Sequence, residues 1–212
     1  SGQVSIRWIE NKMNAYLNKI LKTKEVDYVI ASDTDSIYLN LGPLVEVIYK
    51  EREKTTESIV GFLNKICEVE FEKYIESSYK ALANYVNAYD QKMTMKRENI
   101  ADRGIWTAKK RYILNVWDSE GVRYKEPKLK IMGLETARSS TPAYFRTKLY
   151  DAFKMIVTKT NDDLIKYIED TKRETNSQDY SEISFPRGVN GLNKYQSTVS
   201  YTHLRAHETS FH

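Results

Sequence analysis

The chain has 212 residues, 41% of them hydrophobic and 29% charged, with a formal net charge of +4. This is the make-up of a globular protein with one sizeable domain or two small ones. No apolar run nears the roughly 20 residues of a membrane span, and a single cysteine, Cys67, excludes an internal disulfide.

The opening residues, "SGQVSIRWIENKM", lack the basic, apolar and small segments of a secretory signal. With one thiol and no such signal, a reducing compartment such as the cytoplasm is the simplest home. Ile6, Ile9, Met13, Leu17 and Ile20/Leu21 recur at three- and four-residue spacings, which predicts an amphipathic helix over 4–21. Strands are expected over about 26–32 and 36–41, with Gly42-Pro43 ending the second. Helical texture follows, first over 43–54 and then from 56 to 89. Ile59, Leu63, Ile66, Ile75, Leu82 and Val86 are the candidate buried stripe, and the length of that segment suggests a break. Cys67 lies among its apolar residues and reads as buried and inert.

After Asp90 the pattern turns to strands: "KMTMKREN", "GIWTAKKRYILNVW" and "VRYKEPKLKIM", the last two joined through the turn Asp118-Ser119-Glu120-Gly121. Helices resume near Thr141 and Asn161, and from Ser177 the chain becomes polar and loop-like. Residues 92–150 hold 14 Lys and Arg against 6 Asp and Glu, a local net of +8, whereas the rest of the chain is acidic. Interleaved with Trp106, Tyr112, Trp117 and Tyr124, this block has the electrostatic footprint of a nucleic-acid binder.

Three clusters carry chemistry. The first is "VIASDTDSIYLNL", in which strand, acidic turn and strand place Asp33 and Asp35 at a hairpin tip. Paired carboxylates repel unless a cation lies between them. Hard oxygen ligands of this kind suit Mg²⁺ or Mn²⁺ completed by water and phosphate. An EF-hand loop is excluded, because Ile37 and Tyr38 stand where a ligand and a glycine are required. A sugar-nucleotide transferase would need a doubly wound half upstream, and only one helix precedes the pair. The second cluster is "TAKKRYILN". If the chain is extended there, Lys110 and Tyr112 share a face and can reach the phosphates and base edges of a duplex together. The third is "KIMGLETARSSTPAYF", where Thr141-Pro142 has the form of an N-cap followed by a first-turn proline. The amides of that helix start, with Ser139, Ser140, Thr141 and Arg138, make a phosphate site.

"SDTDSIY" resembles the C motif of family B DNA polymerases, and "KKRY", about 75 residues on, is similar to their lysine-tyrosine motif. The stretches "NVWDSEGVRYKEPKLKIMGLET" and "SSTP" resemble the branch found in T-even-type bacteriophages and their cyanophage relatives. The likeness covers about Gly2 to Tyr195.

The resemblance implies an α+β but incomplete fold. Its 1–133 would be the C-terminal part of a palm domain, an antiparallel sheet with packed helices and an acidic β-hairpin. Residues 134–196 would be the start of a helical thumb. It also implies roles: Asp33 and Asp35 are the catalytic pair, with Asp35 and Asp33 as metal ligands and Glu98 a further carboxylate. Lys109, Lys110, Arg111, Tyr112, Lys130, Gly133, Arg138, Ser139, Ser140 and Thr141 would follow primer-template DNA. Two ions, Mg²⁺ or Mn²⁺, deoxynucleoside triphosphates and a sliding clamp reached through residues further on complete the expected set. No membrane is involved, and the setting is the cytoplasm of an infected host.

The chain departs from the pattern at Lys96, where phage relatives tend to carry an acid, and in a shorter connection from Asn99 to Trp106. The first metal-binding aspartate and the lysine-rich fingers helix are not among these residues, so the fragment is expected to be inactive alone. The alternative is a stand-alone DNA-binding module without catalysis. Residues 197–212 do not match the family and read as a foreign or disordered tail. They hold all three histidines; His203 and His207 stand at i and i+4, but a metal site is not expected there.

Overall fold

The computed structural model describes residues 2–51 and 53–185. Residues 186–212, which include the end of the expected thumb segment, the 197–212 tail and its histidines, lie outside them. The first helix, α1 (Gly2–Leu21), buries Ile9, Met13 and Leu17 completely, as their four-residue spacing predicts. Each such side chain contributes about 1.5–3 kcal/mol when removed from water. Ile20 is exposed, not part of the stripe. Lys22 takes a left-handed conformation (φ 56°) and turns the chain back.

The next segment is held to α1 by two asparagines on one helix face. Asn14 Oδ1 accepts from the backbone N–H groups of Tyr28 and Val29, at 2.8 and 3.1 Å. Asn18 exchanges two bonds with the backbone of Val26, at 2.8 and 3.1 Å. Backbone groups that would otherwise lack partners at the start of a strand are thus satisfied by the helix. From this anchor runs an antiparallel hairpin, β1 (Val29–Asp33) and β2 (Ser36–Leu39), with Asp33 opposite Ser36.

A short helix, α2 (Gly42–Ile48), leads to α3 (Thr56–Ile66), five residues of π-helix (Cys67–Phe71) and α4 (Glu72–Tyr85). The break expected from length is this π turn. A π turn inserts an extra residue and rotates everything beyond it about the helix axis. Before it, Val60 and Leu63 pack with Ile100; from its last residue, Phe71, onward, Phe71, Ile75, Tyr79 and Leu82 pack with α1 and Tyr28. One long helical segment therefore serves two cores. Val86, expected in the stripe, lies beyond the end of α4 and is exposed.

No strand forms over 92–98 of "KMTMKREN", whose last residue, Asn99, begins the next one. Its backbone bonds go elsewhere: the Arg97 N–H donates to Glu72 Oε1 at 3.1 Å, and the Glu98 carbonyl accepts from Glu120 N at 2.6 Å. The second sheet has three antiparallel strands in the order β3 (Asn99–Ala108), β4 (Arg111–Ser119), β5 (Val122–Met132). "GIWTAKKRYILNVW", expected as one strand, is a hairpin that reverses at Lys109-Lys110. The central strand β4 is buried on both faces. Tyr112, Leu114 and Val116 meet Tyr38, Trp106 and Tyr124 on one side, and Ile113 meets Leu134 and Val157 on the other.

Beyond a 3₁₀ turn (Glu135–Ala137) come α5 (Ala143–Thr158), α6 (Asn161–Thr175) and the single turn α7 (Tyr180–Ile183). The helix α6 opens with a capping box between Thr160 and Asp163. The architecture is α+β, with antiparallel sheets and packed helices, as expected. Among the described residues no helix is long and apolar enough to cross a membrane.

Candidate nucleic-acid and metal site

The acidic tip is a two-residue turn, Thr34-Asp35, held by the short β1–β2 ladder, with Thr34 at φ 23°. Asp33 is half-buried and accepts from Thr34 Oγ1 at 3.0 Å. Asp35 is exposed and lines a groove of about 870 Å³ between β2, α3 and β3, which Glu98 and Arg97 also line.

The cationic motif arrives from the other sheet. Lys109 and Lys110 form the tight turn between β3 and β4, with Lys110 left-handed at φ 60°. This corrects the extended-chain argument, because Lys110 and Tyr112 do not face the same way by strand alternation. Lys110 reaches the acidic tip instead, with Nζ 3.8 Å from Asp33 Oδ1. Tyr112 is buried and points inward, where its ring meets Tyr38 edge-on at 5.5 Å. Burial pushes its phenol above the usual range. The neighbouring Tyr38 phenol and the negative charges of Glu98 and Asp33 push the same way.

Around this centre the remaining candidates divide. Lys130, on β5 opposite Leu114, puts Nζ 3.8 Å from Glu98 Oε2. Arg111 bonds the Gly133 carbonyl at 3.2 Å and Glu135 at 3.0 Å. Gly133 has φ 68°, and a Cβ there would lie 2.2 Å from the Lys110 carbonyl oxygen. Only glycine lets the end of β5 approach the cationic turn so closely.

Arg138, Ser139 and Ser140 are exposed in the bend before α5. Thr141 is buried and does not cap that helix. Its hydroxyl donates to the Glu135 carbonyl at 2.7 Å, and the N-cap position is Pro142, with no side-chain bond. Among the described residues no three His, Cys, Asp or Glu side chains converge as a metal cluster. The acidic tip carries two carboxylates, of which Asp33 faces Lys110, as Glu98 faces Lys130.

Sequence reasoning missed a buried ionic junction behind the site. Arg97 bonds Asp118 and Asn64, joining the β4–β5 turn to α3, and both charged side chains are almost wholly buried. It also missed Tyr38 as a structural partner of Tyr112. The only hint was parity, since Tyr38 and Ser36 share a face of β2. Cys67 lies at the π turn with its thiol pushed up to about 11 by burial, which agrees with the inert reading.

No protein-family model matches the chain. Over 202 residues it is 36% identical to the DNA-directed DNA polymerase of Enterobacteria phage T4. The figure is also 36% for the DNA-directed DNA polymerase of Escherichia phage RB69. Each alignment takes in 92% of this chain and 22% of the relative, so the chain spans about a fifth of the length of the curated relatives it matches. The resemblance drawn from "SDTDSIY" and "KKRY" is borne out along nearly the whole chain.

Proposed function

We propose, from its kinship with one segment of the T4-type phage DNA-directed DNA polymerases, that this chain is the C-terminal palm and the start of the thumb of a family B polymerase. On this reading 1–133 is palm and 134–196 thumb. The whole protein performs template-directed nucleotidyl transfer in the cytoplasm of an infected host. The observation that carries the proposal is the convergence of two motifs about 75 residues apart. Lys110 of the cationic turn lies 3.8 Å from Asp33 of the acidic tip, although the two belong to different sheets.

The donor chemistry fits divalent metal. Magnesium is held by one or two carboxylates plus water and substrate phosphates, and Asp35 is exposed to receive it, with Asp33 alongside. Two ions so bound would lower the pKa of a primer 3′-hydroxyl and stabilise departing pyrophosphate. The chain's own residues have other tasks. Asp33 and Asp35 orient the ions at a short, ladder-held turn. Lys109, Lys110 and Arg111, with Lys130, neutralise duplex phosphates near the 3′ end, which gives affinity without sequence preference. Arg138, Ser139 and Ser140 extend that track toward the thumb. Tyr112 serves as a neutral wall behind the cationic turn rather than as an exposed groove reader. Primer-template DNA and deoxynucleoside triphosphates are the substrates.

The test is Asp35→Asn in the longer protein that carries this chain. Primer extension should be lost while duplex affinity at low salt is kept. Extension at the wild-type rate would refute the reading, and a wild-type protein that binds duplex without extending it would favour the stand-alone binding module.

A further inference from the structure

The acidic tip and the cationic turn must hold a fixed separation for the proposed site to work, yet no strand ladder joins their sheets among the described residues. The Lys110–Asp33 pair cannot set that separation. At 3.8 Å, with the lysine 62% exposed, it is a screened contact between a flexible side chain and a turn. It follows the geometry of the two tips and does not impose it.

Among the described residues, an aromatic side chain does bridge the two sheets. Tyr38 projects from β2 with its ring edge-on to Trp106 at 5.2 Å and to Tyr112 at 5.5 Å. Trp106 and Tyr112 are themselves a cross-strand pair, 6.3 Å apart, on β3 and β4. Edge-to-face contacts of this kind are directional, so they fix orientation as well as distance. The backbone makes room for them at Gly104. A Cβ there would stand 2.7 Å from two atoms of the Trp106 ring and 2.8 Å from Leu114, so the indole lies directly over the strand.

Tyr38 is three residues from Asp35 and Tyr112 two from Lys110. At about 3.3 Å per residue, the clamp therefore lies within roughly 10 Å of backbone from either tip. A small rotation there displaces both tips relative to each other.

We infer that Tyr38 is a positioning residue for nucleotidyl transfer: seated between Trp106 and Tyr112, it sets the distance between the carboxylates of the acidic tip and the cations that hold the duplex. The inference rests on the polymerase reading. Tyr38 touches neither DNA nor metal in it, and acts through the relative placement of the two tips. A misplacement on the order of 1 Å is enough to cost about 10²-fold in rate. Affinity for duplex, which sums over many phosphate contacts, should hardly notice it.

The experiment uses the longer protein with Tyr38→Leu, Tyr38→Phe and Trp106→Leu. Single-turnover nucleotide addition is followed for rate and amplitude, and duplex dissociation constants are read by fluorescence anisotropy. Tyr38→Leu and Trp106→Leu should each slow addition about 10- to 100-fold with duplex affinity within about threefold of wild type. Tyr38→Phe, which keeps the ring contacts, should recover most of the rate. Amplitude reports the folded fraction, so a variant that partly misfolds is still read by its rate.

Leucine variants adding nucleotide at the wild-type rate with only reduced amplitude would overturn the inference. So would affinity falling in step with rate, since Tyr38 would then be a duplex contact. Failure of the polymerase reading itself looks different, because the wild-type protein would then show no metal-dependent extension.

Discussion

Replacing Asp118 by alanine should loosen the three-stranded sheet from the helices behind it. The carboxylate is 2% exposed and its partner Arg97 9%. One oxygen of Asp118 also accepts from Gly121 N at 3.1 Å, while the other lies 3.9 Å from Arg123 Nε. Arg97 in turn bonds Asn64 on α3, and its backbone N–H reaches Glu72 on α4.

Removing one member of a buried pair strands the other charge, at about 3–5 kcal/mol. Here Asn64 still holds one end of the guanidinium, which favours the lower figure, about 3 kcal/mol. The buried Nε of Arg97 has no partner to fall back on. At 1.4 kcal/mol per decade, ~3 kcal/mol is roughly a hundredfold change in local opening.

Hydrogen exchange read by mass spectrometry on the longer protein should show that loss in the amides of β3 and β4. Arg97→Met with Asp118→Leu removes both charges together. It should regain most of the protection, since apolar replacements of a buried pair are often neutral. Equal losses in the single and double variants, or a single-variant loss below about 0.5 kcal/mol, would refute the stranded-charge argument.

Two other substitutions probe the cationic turn. Gly133→Ala meets a left-handed backbone, costing about 1–2 kcal/mol, and a Cβ against the Lys110 carbonyl. The 109–112 amides should lose protection and duplex affinity should weaken, whereas unchanged exchange there would contradict the close approach. Lys110→Ala should lower the slope of log affinity against log salt by about 1, measured by anisotropy with duplexes of unrelated sequence. An unchanged slope would remove Lys110 from the set of phosphate contacts.

Most of the helical layer was legible because its signal is periodic and local. The α1 stripe and the break in the long helical segment both followed from spacing and length. The acidic hairpin was legible for a similar reason: two short apolar runs flank a turn that needs no distant partner. The failures share a cause as well. "KMTMKREN" has strand-like texture, but its bonds are taken by Glu72 and by Glu120 from far along the chain. The reversal at Lys109-Lys110 carries no Gly, Asn or Asp to announce it. Space for that turn is provided by Gly133, more than 20 residues later. Thr141 resembles a cap by its neighbours, but its hydroxyl is claimed by Glu135.

The site depends most on β4, because that strand carries contacts in both directions. Its side chains alternate between two faces, so Tyr112, Leu114 and Val116 look toward the acidic hairpin while Ile113 looks toward α5. Its first residue, Arg111, leaves the cationic turn, and Asp118 near its far end holds the junction to α3. A slip of one residue in its pairing would exchange the faces, putting Ile113 under Tyr38 and Tyr112 against Val157. The aromatic contact to the hairpin and the apolar contact to α5 would be lost together. Register in this strand thus fixes three things at once: where the duplex-holding cations stand, how far they are from the carboxylates, and where the following helices begin.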